Sequence, residues 1–154
     1  MPTANLIKAK LLSLADITRA AQLRKFFKMA EGEYAAGDQF HGVYTADLRQ
    51  LVKECSLLPF AEIEKLIQSP FNEERQLALM ILNNQFEKGN ESIKEQVYHF
   101  YIAQKKYINN WNLVDGSAPY VVGMYLLQKD KEILFQLAKS SDLWERRISI
   151  VLEL

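Results

Sequence analysis

The chain has 154 residues, of which 49% are hydrophobic and 25% charged, with six glycines and four prolines. That composition excludes a disordered chain, and the length allows one domain burying roughly two thirds of its unfolded surface. One cysteine, Cys55, excludes an internal disulfide framework, and 19 basic against 19 acidic residues exclude a globally basic nucleic-acid binder. The charge is uneven, however. Residues 1–30 carry six basic groups and one acidic group, residues 31–90 five and ten, and the remainder eight of each. A phosphate backbone is recognised by a local stripe, not by a total. Basic and polar residues interrupt every apolar run before Ala15, so no signal peptide is expected. No run approaches the 18 or so apolar residues of a membrane span, and a soluble, cytoplasmic protein is expected.

Helical signals dominate in chain order. Asp16 is expected to cap a helix through Met29, with Leu23, Phe26 and Phe27 at 3–4 spacing. Glu31 to Tyr44 is a glycine-containing loop, in which Gly42 permits a tight turn. Thr45 is expected to cap a helix to about Cys55, with Leu48, Leu51 and Val52 as its apolar face. Pro59 opens the next helix, which must end before Ser69-Pro70. Asn72 is expected to cap a longer one, to about Lys88, that Gly89 stops. Further helices are expected from Glu91 to about Asn109, from Trp111 to Leu127 with a break near Gly116 to Pro119, from Asp130 to Lys139, and from Asp142 onward.

These elements leave little room for a sheet and define an all-α chain. An internal echo adds detail. Ser69, Glu74, Arg75, Leu77 and Leu79 match Ser140, Glu145, Arg146, Ile148 and Ile150 at one constant offset. Half of that offset is about 36 residues, close to one helix-pair repeat. Paired helices of that size must stack on their neighbours. The expectation is therefore a single HEAT-like repeat domain over 1–154, an α-α superhelix of antiparallel helix pairs. Residues 143–154 read as a helix without a cap or polar outer face, so the solenoid is expected to be truncated or covered at that end.

The segment from Ile108 to Tyr120 carries the candidate chemistry. In a helix starting at Trp111, Asp115 lies four residues on and shares its face. An indole beside a carboxylate suits a cationic ligand such as an N-alkylated purine, and the carboxylate can favour an oxocarbenium-like centre or orient water. The structural alternative is a packing tryptophan and a capping aspartate. In Leu143-Trp144-Glu145-Arg146-Arg147, Arg147 can share the Trp144 face while Arg146 points elsewhere; one can pair with an acid and the other reach a phosphate. Lys105 and Lys106 are candidate phosphate contacts, and Arg75 and Arg49 can extend the stripe or be solvated surface groups. His41 and His99 stand apart from any metal-ligand spacing, and Gly32, Gly37 and Gly42 do not form a nucleotide loop.

Taken in order, Gly42-Val43 with Leu48-Arg49, Ser69-Pro70 with Glu73-Glu74-Arg75, Asn109-Asn110-Trp111-Asn112-Leu113-Val114-Asp115, and Trp144-Glu145-Arg146-Arg147 closely resemble the AlkD-like family of DNA alkylation repair proteins. The resemblance covers about residues 20–154. It implies a HEAT-like DNA glycosylase that binds double-stranded DNA in a concave face, removes positively charged N3- and N7-alkylated purines, and uses no cofactor or metal. It also implies roles: Trp111 against the deoxyribose, Asp115 as catalytic carboxylate, Arg147 on a phosphate, and the family's early aromatic position near Phe27. The family continues for further helices, and Asn112 stands where an acidic residue is common. The alternatives are a non-catalytic HEAT-repeat DNA-binding protein and a protein-binding scaffold.

Overall fold

The computed structural model describes residues 2–27 and 37–151. The described residues form helices joined by turns, and the sole β-type pairing among them is an isolated bridge between Gln39 and Phe71. No helix among them is long and apolar enough to cross a membrane. Two compact units divide between Ile81 and Leu82, inside one helix.

The first unit contains α1 (Ala4–Ser13), α2 (Ile17–Phe26), α3 (Thr45–Glu54), α4 (Phe60–Ile67) and the first half of α5 (Asn72–Lys88). Helix α1 lies outside the sequence expectation. Its signal is short: Thr3 accepts the Leu6 N–H at 3.3 Å as an N-cap, and Ile7 and Leu11 bury one face. Asp16 caps α2 through the Arg19 N–H, as expected, but α2 ends at Phe26, and the expected continuation to Met29 lies partly outside the described residues. Thr45 is the first residue of α3; Tyr44 occupies the cap position and gives no side-chain cap bond. Helix α3 buries Leu48, Leu51 and Val52, α4 buries Ile63, Leu66 and Ile67, and α1 packs on α4. Each such aliphatic side chain stabilises the unit by about 1.5–3 kcal/mol.

The loop after Gly37 is held by buried charge. The Glu73 carboxylate accepts the N–H groups of His41 (2.9 Å), Gly42 (2.7 Å) and Val43 (3.0 Å). Glu74 pairs with His41 Nε2 at 2.8 Å and with Lys8 at 3.6 Å, and the His41 ring stacks on Phe71 at 3.7 Å. Gly42 is required by position: its φ is +87°, and a Cβ there would meet the Asp16 carbonyl oxygen at 2.0 Å.

The second unit contains the rest of α5, α6 (Glu91–Ala103), a 3₁₀ turn (Lys105–Tyr107), α7 (Trp111–Asp115), a π-helical turn (Pro119–Gly123) running into α8 (Met124–Leu126), α9 (Glu132–Ala138) and α10 (Leu143–Val151). The expected helix from Glu91 to Asn109 therefore stops at Ala103. Two asparagines, which favour caps over helix interiors, come after the 3₁₀ turn, and Asn110 begins the next helix. The break near Gly116 is present, and Asp142 caps α10 through the Trp144 N–H at 2.7 Å. Helix α10 packs on α9 and α7, and α6 packs on the π-helical turn and α8.

Candidate active site

Helix α7 has five residues, too few to be stable alone. Its inward side is fixed by Leu113 and Val114, both buried. Trp111, Asn112 and Asp115 are left half-buried on the outward side. At the N-terminal end the wholly buried Asn110 accepts the Trp111 N–H at 2.8 Å. At the other end Ser117, also wholly buried, donates to the Leu113 carbonyl at 2.6 Å. That uses the serine's one proton, so the Tyr101 hydroxyl donates in the 2.7 Å bond between Tyr101 and Ser117. Burial pushes the Tyr101 phenol above its ordinary value, with the Ser117 bond opposing, so it stays a donor. Asn83 Nδ2 donates to the Gly116 carbonyl at 2.8 Å. Helices α5 and α6, with the residues flanking α7, thus set the position of one short turn.

Against that turn lies α10. Arg147 Nε donates to Asp115 Oδ1 at 2.7 Å and Nη2 to Oδ2 at 2.6 Å, a two-pronged fork that fixes both groups in one plane. The side chains are 40% and 36% exposed, so the pair stands at the surface and not in the core. Hydrogen bonding to Asp115 raises the Arg147 guanidinium above its ordinary value, burial opposing and the carboxylate's charge adding. Exposed pairs contribute little to stability, about 0–1 kcal/mol. What the fork does provide is a carboxylate of fixed orientation on the short helix that also carries the half-buried Trp111.

The other sequence candidates fall in different places. Lys105 reaches Glu145 at 4.0 Å, which links the 3₁₀ turn to α10 within the same unit. Lys106 is exposed, with its ammonium 4.9 Å from the Tyr107 ring centroid. Arg146, the neighbour of Arg147, donates Nη1 to the Ser140 carbonyl at 2.8 Å. Arg75 lies in the first unit and is neither a stripe residue nor solvated: it is 4% exposed, donating Nη2 to Asp38 at 2.7 Å and Nη1 to the Ser69 carbonyl at 2.9 Å. A guanidinium so enclosed cross-links loop and helix, and the surface reading is corrected to that. Arg49 is exposed on α3. Phe27 is buried in the first unit, stacked on Phe40 at 5.0 Å. Sequence reasoning missed Asn83, Tyr101 and Ser117 as supports of α7. Only Asn110 carried a local signal, a capping residue directly before an apolar run.

Residues 7–154 match the family described as DNA alkylation repair enzyme, and the chain belongs to that family. Comparison with curated proteins gives no match, and neither does comparison with solved structures.

Proposed function

We propose that the chain is an AlkD-like DNA glycosylase, a HEAT-like solenoid that binds double-stranded DNA in the cytoplasm and hydrolyses the N-glycosidic bond of positively charged N3- and N7-alkylated purines. The observation that carries the reading is the Asp115–Arg147 fork, half-exposed on the turn that also presents Trp111, in a chain of this family. Such purines are already activated leaving groups. The C1′–N bond breaks with its electron pair passing to the base, which departs neutral. Water adds at C1′ and gives up a proton to Asp115 or to solvent, leaving an abasic site. No cofactor or metal is called for. Trp111 offers the electron-rich face that a cationic base or sugar prefers, and the Asp115 carboxylate stabilises the positive charge that develops at C1′.

Arg147 has five N–H donors, and the fork uses Nε and one donor of Nη2. The opposite edge, Nη1 and the second Nη2 proton, is left to hold a phosphate while the carboxylate stays oriented. Lys105 and Lys106 supply further phosphate contacts in this reading, and Arg75 does not.

A non-catalytic DNA-binding protein is the second reading. It is favoured by the fork itself, because a carboxylate with both oxygens engaged by Arg147 is partly neutralised. Release of 7-methylguanine from an alkylated duplex, compared between the wild-type chain and Asp115→Asn, separates the two. Release by the wild type that falls at least about 100-fold in the variant supports the glycosylase. Salt-dependent binding without release by either supports the second reading, and neither binding nor release leaves the protein-binding scaffold.

A further inference from the structure

The two units share a local motif that differs in what the arginine's remaining donors meet. Ser69 Oγ accepts the Phe71 N–H at 3.0 Å, and Arg75 Nη1 donates to the Ser69 carbonyl at 2.9 Å. In the second unit Ser140 Oγ accepts the Asp142 N–H at 3.0 Å, and Arg146 Nη1 donates to the Ser140 carbonyl at 2.8 Å. The sequence echo is thus also an echo in hydrogen bonds, and in both copies the serine carbonyl orients the guanidinium. In the first copy Nη2 donates to the buried Asp38 carboxylate at 2.7 Å, while Nε is buried without a hydrogen-bond partner among the described residues. In the second, Arg146 is half-buried and pairs with no carboxylate among the described residues. Its Nε and Nη2 edge has been oriented and left unoccupied.

An ordinary surface arginine loses conformational freedom when it binds an anion. Arg146 is already held at one nitrogen, so less is lost on binding, and its planar fork suits a phosphate as well as it suits a carboxylate. We propose that Arg146 binds a DNA backbone phosphodiester through its Nε and Nη2 edge, the phosphate meeting Nη2 as Asp38 meets Nη2 of Arg75 and taking Nε as well. This rests on the DNA-binding half of the proposed function and not on glycosylase activity. Beside Arg147, which orients the carboxylate and offers its outer edge to a phosphate, Arg146 carries an independent backbone contact that is blind to the lesion.

The test is the salt dependence of binding to a duplex of about 20 base pairs, with and without a 7-methylguanine. Each phosphate contact contributes a slope of about −0.9 in log affinity against log salt. Arg146→Gln is expected to reduce the slope by about that amount, equally for both duplexes, whereas Arg146→Lys keeps the wild-type slope. A merely structural Arg146 would lower stability and leave the slope unchanged. Because Arg146→Gln also removes the Ser140 bond, a second measurement uses the unaltered protein: the duplex should shield Arg146 from phenylglyoxal, read by peptide mapping. A wild-type slope in Arg146→Gln, or modification of Arg146 unaffected by DNA, overturns the proposal while the DNA reading stands. A wild-type chain that binds neither duplex overturns both.

Discussion

The two units use arginine–carboxylate pairs in opposite ways. In the first, Arg75 and Asp38 are both about 95% buried at the side chain; Ser69 and Asn72 bond them further, and Arg75 Nε alone of the guanidinium nitrogens is left without a partner among the described residues. In the second, Arg147 and Asp115 form a tighter fork but are left more than a third exposed. Burying charge is costly unless it is paired, and a buried pair breaks badly when one member is lost. A surface pair costs little to form and little to lose. The contrast separates charges that hold a loop in place from charges left within reach of solvent.

Four substitutions break or sharpen that contrast, in order of their expected effect on stability. Gly42→Ala places a methyl within 2.0 Å of the Asp16 carbonyl, in a backbone region that alanine resists. A loss on the order of 5 kcal/mol, or failure to fold, is expected in chemical denaturation. Arg75→Met leaves the Asp38 carboxylate buried without its cation and should cost about 3–5 kcal/mol in the same experiment. Tyr101→Phe keeps the ring and removes the proton given to Ser117. The expected loss is about 1–2 kcal/mol, with faster amide exchange at 113–117, since that bond secures the end of α7. Asp115→Asn should change stability by less than about 1 kcal/mol. If Asp115→Asn proves as damaging as Arg75→Met, the distinction between the two pairs is lost.

Much of the fold was legible in the sequence because local signals set its boundaries. Asp16, Pro59, Gly89 and Asp142 each mark a helix end by a side chain or backbone property that acts within a few residues. Helix α1 was less legible, its cap being a single threonine, and the early stop of α6 depends on the 3₁₀ turn and the asparagines beyond Ala103. The short helix carrying Trp111 and Asp115 was readable from its asparagine cap, and the echo of Ser69–Arg75 in Ser140–Arg146 was visible as a pattern. That Arg147 would grip Asp115 was not, since 32 residues separate them and no local rule links them. Arg75 could not be told from a solvated arginine for the same reason: its partner, Asp38, lies 37 residues away in a loop. Side chains that meet through tertiary packing leave no periodicity to read.

The most direct test of the central claim, that the Asp115–Arg147 pair is retained for chemistry and not for stability, is to measure 7-methylguanine release and thermal unfolding together for the wild type and Asp115→Asn. The account predicts base release by the wild type, its near-complete loss in the variant, and unfolding temperatures within a few degrees of one another. Undiminished release by the variant, or loss of release only because the variant unfolds, would contradict it.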